Sequence, residues 1–333
     1  MKRCTRCVLP ETFPGIQFDA EGVCQYCRRQ PSETQQVERR ARLRAQFEAL
    51  AEQVRARPGY HCLVAWSGGK DSTYTLWLME HVYNLRALAF TFDNGFVSTT
   101  AFKNMRGVAE HLKADHVIVK PQFEMLQHIF VASLRPGSYP LKALERASGV
   151  CNACMAIAKG IGLRLAFEKD IPLLVYGWSP GQIPLASSLM RPTPQMMQAM
   201  VDAAKAPLRA VVGEQIDPYF PERRHLEVGC EVPVHVAPLA FMDYDEGVAR
   251  QVIGALGWET PQDTDSTSTN CLLNSYACLI HQEQMGFHPY AMELAGLVRE
   301  GYMERREALE RLEIAPPLDV TLAVKAKLGL PVV

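Results

Sequence analysis

Cys62-Leu63-Val64-Ala65-Trp66-Ser67-Gly68-Gly69-Lys70-Asp71-Ser72 is the stretch whose reading decides the fold. A short apolar run precedes two adjacent glycines, and a periodic segment from Ser72 to His81 follows them. Strand, glycine turn and helix in that order suit a phosphate. The glycines let the backbone come close, and N–H groups at the helix start point at the anion. Lys70 adds a mobile positive charge, and Asp71 is suited to hold a magnesium ion whose other ligands are phosphate and water. The loop is not of the Walker A type, because Asp71 follows the lysine and Val64 stands where the first glycine belongs. The plain alternative is a strand-to-helix turn with no ligand.

Working outward, the spacing predicts strands near 62–66, 87–92, 116–119 and 172–176. Helices are expected near 72–83, 100–113, 123–133 and 153–169. Short β-rich runs alternating with helical ones predict an α/β fold with a parallel, doubly wound sheet covered on both faces. Ligands in such folds bind at the carboxyl ends of the strands. That places Phe92-Asp93-Asn94-Gly95 and Gly177-Trp178-Ser179 beside the loop. Asp93, or the backbone around it, is placed to contact a ligand there, and Gly177 permits a close approach to it; both are equally ordinary turn residues. A fifth strand is expected over 231–239. Tyr244, Val248, Val252 and Leu256 then recur at helical spacing, with Asp243 or Asp245 as cap and Gly257 as stop. Asp263, Asp265 and the Ser/Thr cluster before Cys271 read as a turn-rich loop able to hold a ligand. The segment 293–312 reads as one helix in a helical C-terminal lobe.

The loop resembles the PP-loop of the ATP pyrophosphatases (adenine nucleotide alpha-hydrolases), whose signature is Ser-Gly-Gly-x-Asp-Ser. The resemblance implies ATP cleaved between its α and β phosphates with Mg2+, leaving a substrate adenylate and pyrophosphate. It implies ATP held by Ala65, Ser67, Gly68, Gly69, Lys70, Asp71, Ser72, Phe92, Asp93 and Gly177, with Lys70 and Asp71 in catalytic roles.

Cys4-x-x-Cys7 and Cys24-x-x-Cys27 are sixteen residues apart and can close a tetrathiolate site. Zinc (Zn2+) is the default for four thiolates, with a rubredoxin-like iron as alternative, and four protein ligands leave no open position for chemistry. Cys4-Thr5-Arg6-Cys7-Val8-Leu9-Pro10 with Phe18-Asp19-Ala20-Glu21-Gly22-Val23-Cys24 resembles the opening of the N-acetyl sugar amidotransferases, which carry such a knuckle ahead of a PP-loop domain. A third pair, Cys151-Asn152-Ala153-Cys154, opens a helix, and Cys271 or Cys278 is its candidate partner. This pair resembles that of the iron–sulfur tRNA thiolation enzymes, which implies a [4Fe–4S] cluster on Cys151, Cys154 and Cys271 with one open iron. Structural cysteines at a helix start are the alternative.

The chain has 333 residues, 48% hydrophobic and 21% charged, with a net charge of −1. That balance argues against a nucleic-acid coat protein and leaves room for a local basic patch. Between Arg28 and Arg57 eight arginines face four acids. Within that stretch 33–57 reads as an amphipathic helix, with Val37, Leu43, Phe47, Leu50 and Val54 near helical spacing and a solvated arginine face, the alternative being a surface for tRNA or an acidic partner. Arg223-Arg224-His225 reads as a surface loop, and Met190, Met196, Met197 and Met200 as soft core packing. No secretory signal is read at Met1-Lys2-Arg3-Cys4, and prolines and glycines break the uncharged run 171–190, so no membrane segment is expected. Ten cysteines without such a signal indicate metal or redox chemistry in the cytoplasm.

Four regions are expected: a metal knuckle over 1–30, a linker helix over 31–59, an ATP pyrophosphatase domain over 60–240 and a helical lobe over 241–333. Two reactions compete, against a non-enzymatic nucleotide-binding module that the Lys70–Asp71 pair fits poorly. In the first, a carbonyl oxygen of an N-acetyl sugar is adenylated and replaced by nitrogen. No glutaminase elbow is present, so ammonia would come from a separate glutaminase subunit. In the second, sulfide from a sulfur donor is the nucleophile and a tRNA base or small heterocycle the acceptor. The matched opening favours nitrogen and a small sugar over tRNA, and a homodimer stays open.

Overall fold

The structure is a computed structural model that describes residues 1–227, 229–264 and 268–331. Its centre is a six-stranded sheet of β1 (Cys62–Ala65), β2 (Ala87–Phe92), β3 (Asp115–Val119), β4 (Leu173–Tyr176), β5 (Leu189–Met190) and β6 (Val234–Val236). The order is β3-β2-β1-β4-β6-β5. All neighbours pair parallel except β5, which closes the edge antiparallel to β6. The four strands expected on the apolar runs are present. The fifth shrinks to three residues, because β6 pairs only over Leu173–Val175 of β4.

Strand residues alternate between two cores. Leu63, Leu88, Phe90, Leu174 and Tyr176 face one side, where helices Phe123–Ser133, Gly149–Glu168 and Pro194–Val212 cover them. Cys62, Val64, Ala87, Ala89, Leu173 and Val175 face the other, covered by Glu33–Arg55, Lys70–Trp77, Thr99–Leu112 and Glu246–Ala255. Burial on both faces is why these strands read as continuous apolar runs. Gly149–Glu168 is long and apolar enough by composition to cross a membrane. Its Ala153, Ile157, Ile161 and Ala166 are spent on the first core.

Several expectations change in detail. The amphipathic helix spans Glu33–Arg55 and buries Phe47, Leu50, Ala51 and Val54, while Val37 is exposed. Of the four methionines only Met197 is buried; Met196 and Met200 face outward. The segment 293–312 is two helices, Ala291–Arg299 and Arg305–Glu313, separated at Gly301, whose φ of +79° stops the first.

The C-terminal region is helical but is not one lobe. Leu273, Tyr276 and Ala277 of helix Leu273–Met285, with Val324 and Leu328, join the first core. Helices Ala291–Arg299 and Arg305–Glu313 instead form a third core with the chain's opening, in which Val8, Leu9 and Phe13 meet Phe287, Leu294, Leu297 and Leu312. Arg305 clamps this joint by donating to the carbonyls of Cys4 and Cys7, each at 2.9 Å. The knuckle is therefore built into the end of the chain farthest from it in sequence.

Candidate active site

The loop after β1 stands at the N-terminus of helix Lys70–Trp77, with Gly69 as N-cap. The Ser72 hydroxyl receives the Ser67 N–H at 3.2 Å, and Trp66 Nε1 donates to Thr73 Oγ1 at 2.9 Å, so the turn is braced from within. A Cβ on Gly177 would lie 2.5 Å from Ser72 Cα. Only glycine allows β4 to end this close to the helix start.

Lys70 and Asp71 form one tight unit. Lys70 Nζ donates to both Asp71 oxygens at 2.9 Å and to the Tyr244 hydroxyl at 3.0 Å. Tyr244 donates to Asp71 Oδ1 at 2.6 Å. Burial and the Asp71 charge push the Tyr244 phenol up, so it stays protonated and remains a donor. Glu246 stands 3.5 Å from Lys70. Burial works against its charge, but Lys70 and Arg311 outweigh that and hold it below the usual carboxylate range. Glu293 accepts from Gln182 at 3.1 Å, and burial followed by the Asp71 charge pushes it up to about 7.

These groups line a cavity of about 890 Å³ at the carboxyl edge of the sheet. Of the expected nucleotide contacts, Ala65, Ser67, Gly69, Lys70, Asp71, Ser72, Phe92 and Gly177 line it. Gly68 and Asp93 do not. Gly68, at φ +80°, turns toward helix Thr99–Leu112, where a Cβ would meet the Ala101 carbonyl at 3.1 Å. Asp93 is turn chemistry: its Oδ1 accepts the Gly95 N–H at 2.9 Å and its Oδ2 pairs with Lys120 at 3.1 Å. The residue facing the cavity there is its neighbour Asn94.

Cys151, Cys154 and Cys271 line this same cavity. The first two come from the opening of helix Gly149–Glu168. Cys271 arrives because the chain after Trp258 folds back over the loop: Trp258 Nε1 donates to the Gly68 carbonyl at 3.0 Å, and Asn104 exchanges two hydrogen bonds with Glu259. Residues 270–272 then pair antiparallel with 96–98, through Ser98 N–H to Asn270 and Leu272 N–H to Phe96, each 2.9 Å. The Asn94 amide reaches Cys154 Sγ at 3.4 Å and Cys271 Sγ at 3.7 Å, and Cys151 donates to Asn274 at 3.8 Å. Burial, then the nearness of Cys271, pushes the Cys154 thiol up. In the ligand-holding loop expected before Cys271, Thr269 accepts the Lys70 N–H at 3.2 Å, whereas Asp265 lies outside the described residues. Cys278 is buried in its helix and does not line the cavity.

The N-terminal quartet is a separate site. Cys4, Cys7, Cys24 and Cys27 are buried and bring their sulfurs within 4.8 Å of one another, the one such group among the described residues. Cys4–Cys27 and Cys7–Cys24 are 3.8 and 3.7 Å apart, and the N–H groups of Cys7 and Cys24 point at Cys4 Sγ. Four sulfurs about 2.3 Å from one tetrahedral ion stand about 3.8 Å apart, so the set fits a single ion rather than a polynuclear cluster. Contacts with Cys27 and Cys7 push the Cys24 thiol far down.

Tyr244, Glu246 and Glu293 escape a reading of the sequence, and Asn94 enters it only as part of the turn after the second strand. Tyr244 falls in step with Val248 and Val252 and so passes for a core residue. Asp245 is the true N-cap, with Val248 N–H on its carboxylate at 2.8 Å, and this leaves Tyr244 ahead of the helix and free to reach Asp71.

The fold and site thus define a doubly wound α/β protein with an anion-type loop and three thiols in one cavity. No family model matches the chain. It is 21% identical over 313 residues to the uncharacterized protein MJ1599 of Methanocaldococcus jannaschii, covering 93% of each. Among solved structures, the U34-tRNA thiolase NcsA from Methanococcus maripaludis with its [4Fe-4S] cluster aligns over 94% of this chain and 90% of its own. The sequence identity is 14% and the TM-score 0.36, a likeness too low to carry an argument.

Proposed function

We propose that the chain is an ATP-dependent enzyme that adenylates a carbonyl oxygen, releases pyrophosphate, and replaces that oxygen with sulfur. The observation that carries the choice of sulfur is the convergence of Cys151, Cys154 and Cys271 on the cavity of the Lys70–Asp71 loop. The N-acetyl sugar amidotransferase reading shares the first half of the reaction. Its support is the wording around the quartet, which lies outside this cavity, so sulfur is preferred. We read the opening residues as a structural metal knuckle, with zinc as the default ion and a rubredoxin-like iron as the alternative.

In the first step the acceptor oxygen bonds to the α-phosphorus, the bond from that phosphorus to the bridging oxygen breaks, and pyrophosphate leaves. Loop N–H groups and Lys70 offset the charge that develops on the departing phosphates. Asp71 holds Lys70 in place before ATP arrives and is the candidate magnesium ligand once the lysine turns to phosphate. Tyr244 keeps the Asp71 carboxylate oriented. In the second step sulfide adds to the activated carbon and AMP departs with the original oxygen. The donor set suits a [4Fe–4S] group: three half-buried thiols open to a cavity, two of them reached by one amide. Held there, the group would supply an open iron for a sulfide.

The test is product analysis with anaerobically purified protein. AMP and pyrophosphate are expected, with iron that is lost on Cys154→Ala and kept on Cys24→Ser. ADP and phosphate would reject the adenylation. Colourless, iron-free protein active with ammonium alone would restore nitrogen transfer.

A further inference from the structure

One carboxamide stands between two of the three cavity thiols. Asn94, in the turn after β2, is buried and lines the cavity. Its Oδ1 accepts the Phe96 N–H at 2.8 Å. That bond assigns the carboxamide: the oxygen is turned to the backbone, so the NH2 group is turned to the sulfurs. The NH2 group donates to Cys154 Sγ at 3.4 Å and to Cys271 Sγ at 3.7 Å, and it has two hydrogens to give. Phe96 fixes the arrangement from behind. Its ring is buried in the first core beside Phe130, and its carbonyl receives the Leu272 N–H at 2.9 Å. The same residue therefore holds both Asn94 and the neighbour of Cys271.

Three segments far apart in the chain meet at this amide: the turn after β2, the start of helix Gly149–Glu168 and the returning residues 270–272. One helix carries Cys151 and Cys154 together, but nothing in that helix fixes where Cys271 stands beside them. A neutral thiol is a weak acceptor, so the two bonds contribute little while the sulfurs keep their protons. Metal binding takes those protons away, and each bond then has a charged acceptor and is about twice as strong. A buried amide whose best acceptors are two thiolates is suited to a metal-bound set. We propose that Asn94 is the positioning residue of the thiol set: its carboxamide gathers Cys154 and Cys271, and it donates to both thiolates when they hold an iron–sulfur group. The second half rests on the sulfur-transfer reading; the gathering of the two thiols does not.

The experiment compares the full chain with Asn94→Asp and Asn94→Ala. Aspartate keeps an oxygen for the Phe96 N–H and loses the donors, so it separates the bonds to sulfur from the turn itself. In iron-stripped protein, dibromobimane should join Cys154 to Cys271 in wild type, read as a linked peptide by mass spectrometry. Both variants should lose most of that product while the Cys151–Cys154 product, held by one helix, persists and reports an intact fold. In anaerobically reconstituted protein, both should release iron to a chelator about tenfold faster or more, the scale on which supporting partners of metal ligands act. The midpoint potential of the iron that remains should fall, because N–H groups on the sulfurs favour the more negative, reduced form. An Asn94→Asp variant that matches wild type in cross-link yield or in iron release overturns the proposal and leaves Asn94 a turn residue. Wild-type protein that takes up no iron beyond the quartet would overturn the sulfur-transfer reading and the second half with it, and the cross-link would still decide the first.

Discussion

Two groups of cysteines in this chain are arranged in opposite ways. The N-terminal quartet is buried, its sulfurs are 3.7–3.8 Å apart across two pairs, and its own loops donate N–H groups to it. Cys151, Cys154 and Cys271 are half-buried, come from segments more than a hundred residues apart, and open onto the cavity that holds Lys70 and Asp71. A closed tetrahedral set stabilises and leaves no coordination position for a substrate. An open set with an accessible face can take part in chemistry. The same residue type thus forms a closed, buried set at one end of the molecule and an open set facing the Lys70–Asp71 cavity in the middle.

The sharpest way to break that contrast starts at the loop. Lys70→Ala and Asp71→Ala should each abolish pyrophosphate release, a barrier increase of about 3 kcal/mol or more by loss of a preorganised charged group. Melting temperature should barely move, because both side chains line the cavity rather than the core; a large drop would mean that the pair is structural. Next, Cys24→Ser should release the quartet's ion and cost several kcal/mol of stability, the scale on which metal binding is coupled to folding. Because the knuckle shares its core with Ala291–Arg299 and Arg305–Glu313, hydrogen exchange should rise in those helices too. Protection unchanged beyond residue 30 would separate the knuckle from the C-terminal helices. Cys271→Ala should do the reverse, removing sulfur transfer and any cluster absorbance while metal at the quartet and thermal stability persist.

Tyr244→Phe removes a hydrogen bond to a carboxylate, worth about 1.5–3 kcal/mol for a charged partner. The expected result is slower adenylation with ATP affinity nearly unchanged; an unaltered rate would show that Lys70 alone orients Asp71. The smallest effect is at Glu293. Burial and Asp71 raise its carboxyl from 4.5 to about 7, with Gln182, Lys70 and Arg311 acting in the opposite sense. A raised carboxyl favours the folded protein while protonated, so its contribution is full below pH 4.5 and is lost as pH climbs through 7. Glu293→Gln should flatten that decline in thermal scans, and an identical pH profile would place the residue in ordinary solvent.

What the sequence by itself determined is what is local. Three apolar runs became β1, β2 and β4 because burial on both faces demands unbroken apolar strands, whereas β3 is a half-exposed edge strand. The two Cys-x-x-Cys knuckles closed on each other because their sixteen-residue loop keeps them within reach. The glycines of the loop set the phosphate-type turn. Only the tertiary structure decided what depends on long return paths. Cys271 reaches Asn94 through hydrogen bonds that Trp258, Glu259 and Asn270 make with residues more than 150 positions earlier. Tyr244 reaches Asp71 because Asp245, one of the two caps offered by the sequence, starts the helix at Glu246, two residues after the first apolar position of the period. The knuckle finds its core in the C-terminal helices, a packing choice with no trace in either segment alone. Periodicity and spacing report which face of an element is buried; they do not report which distant element will cover it.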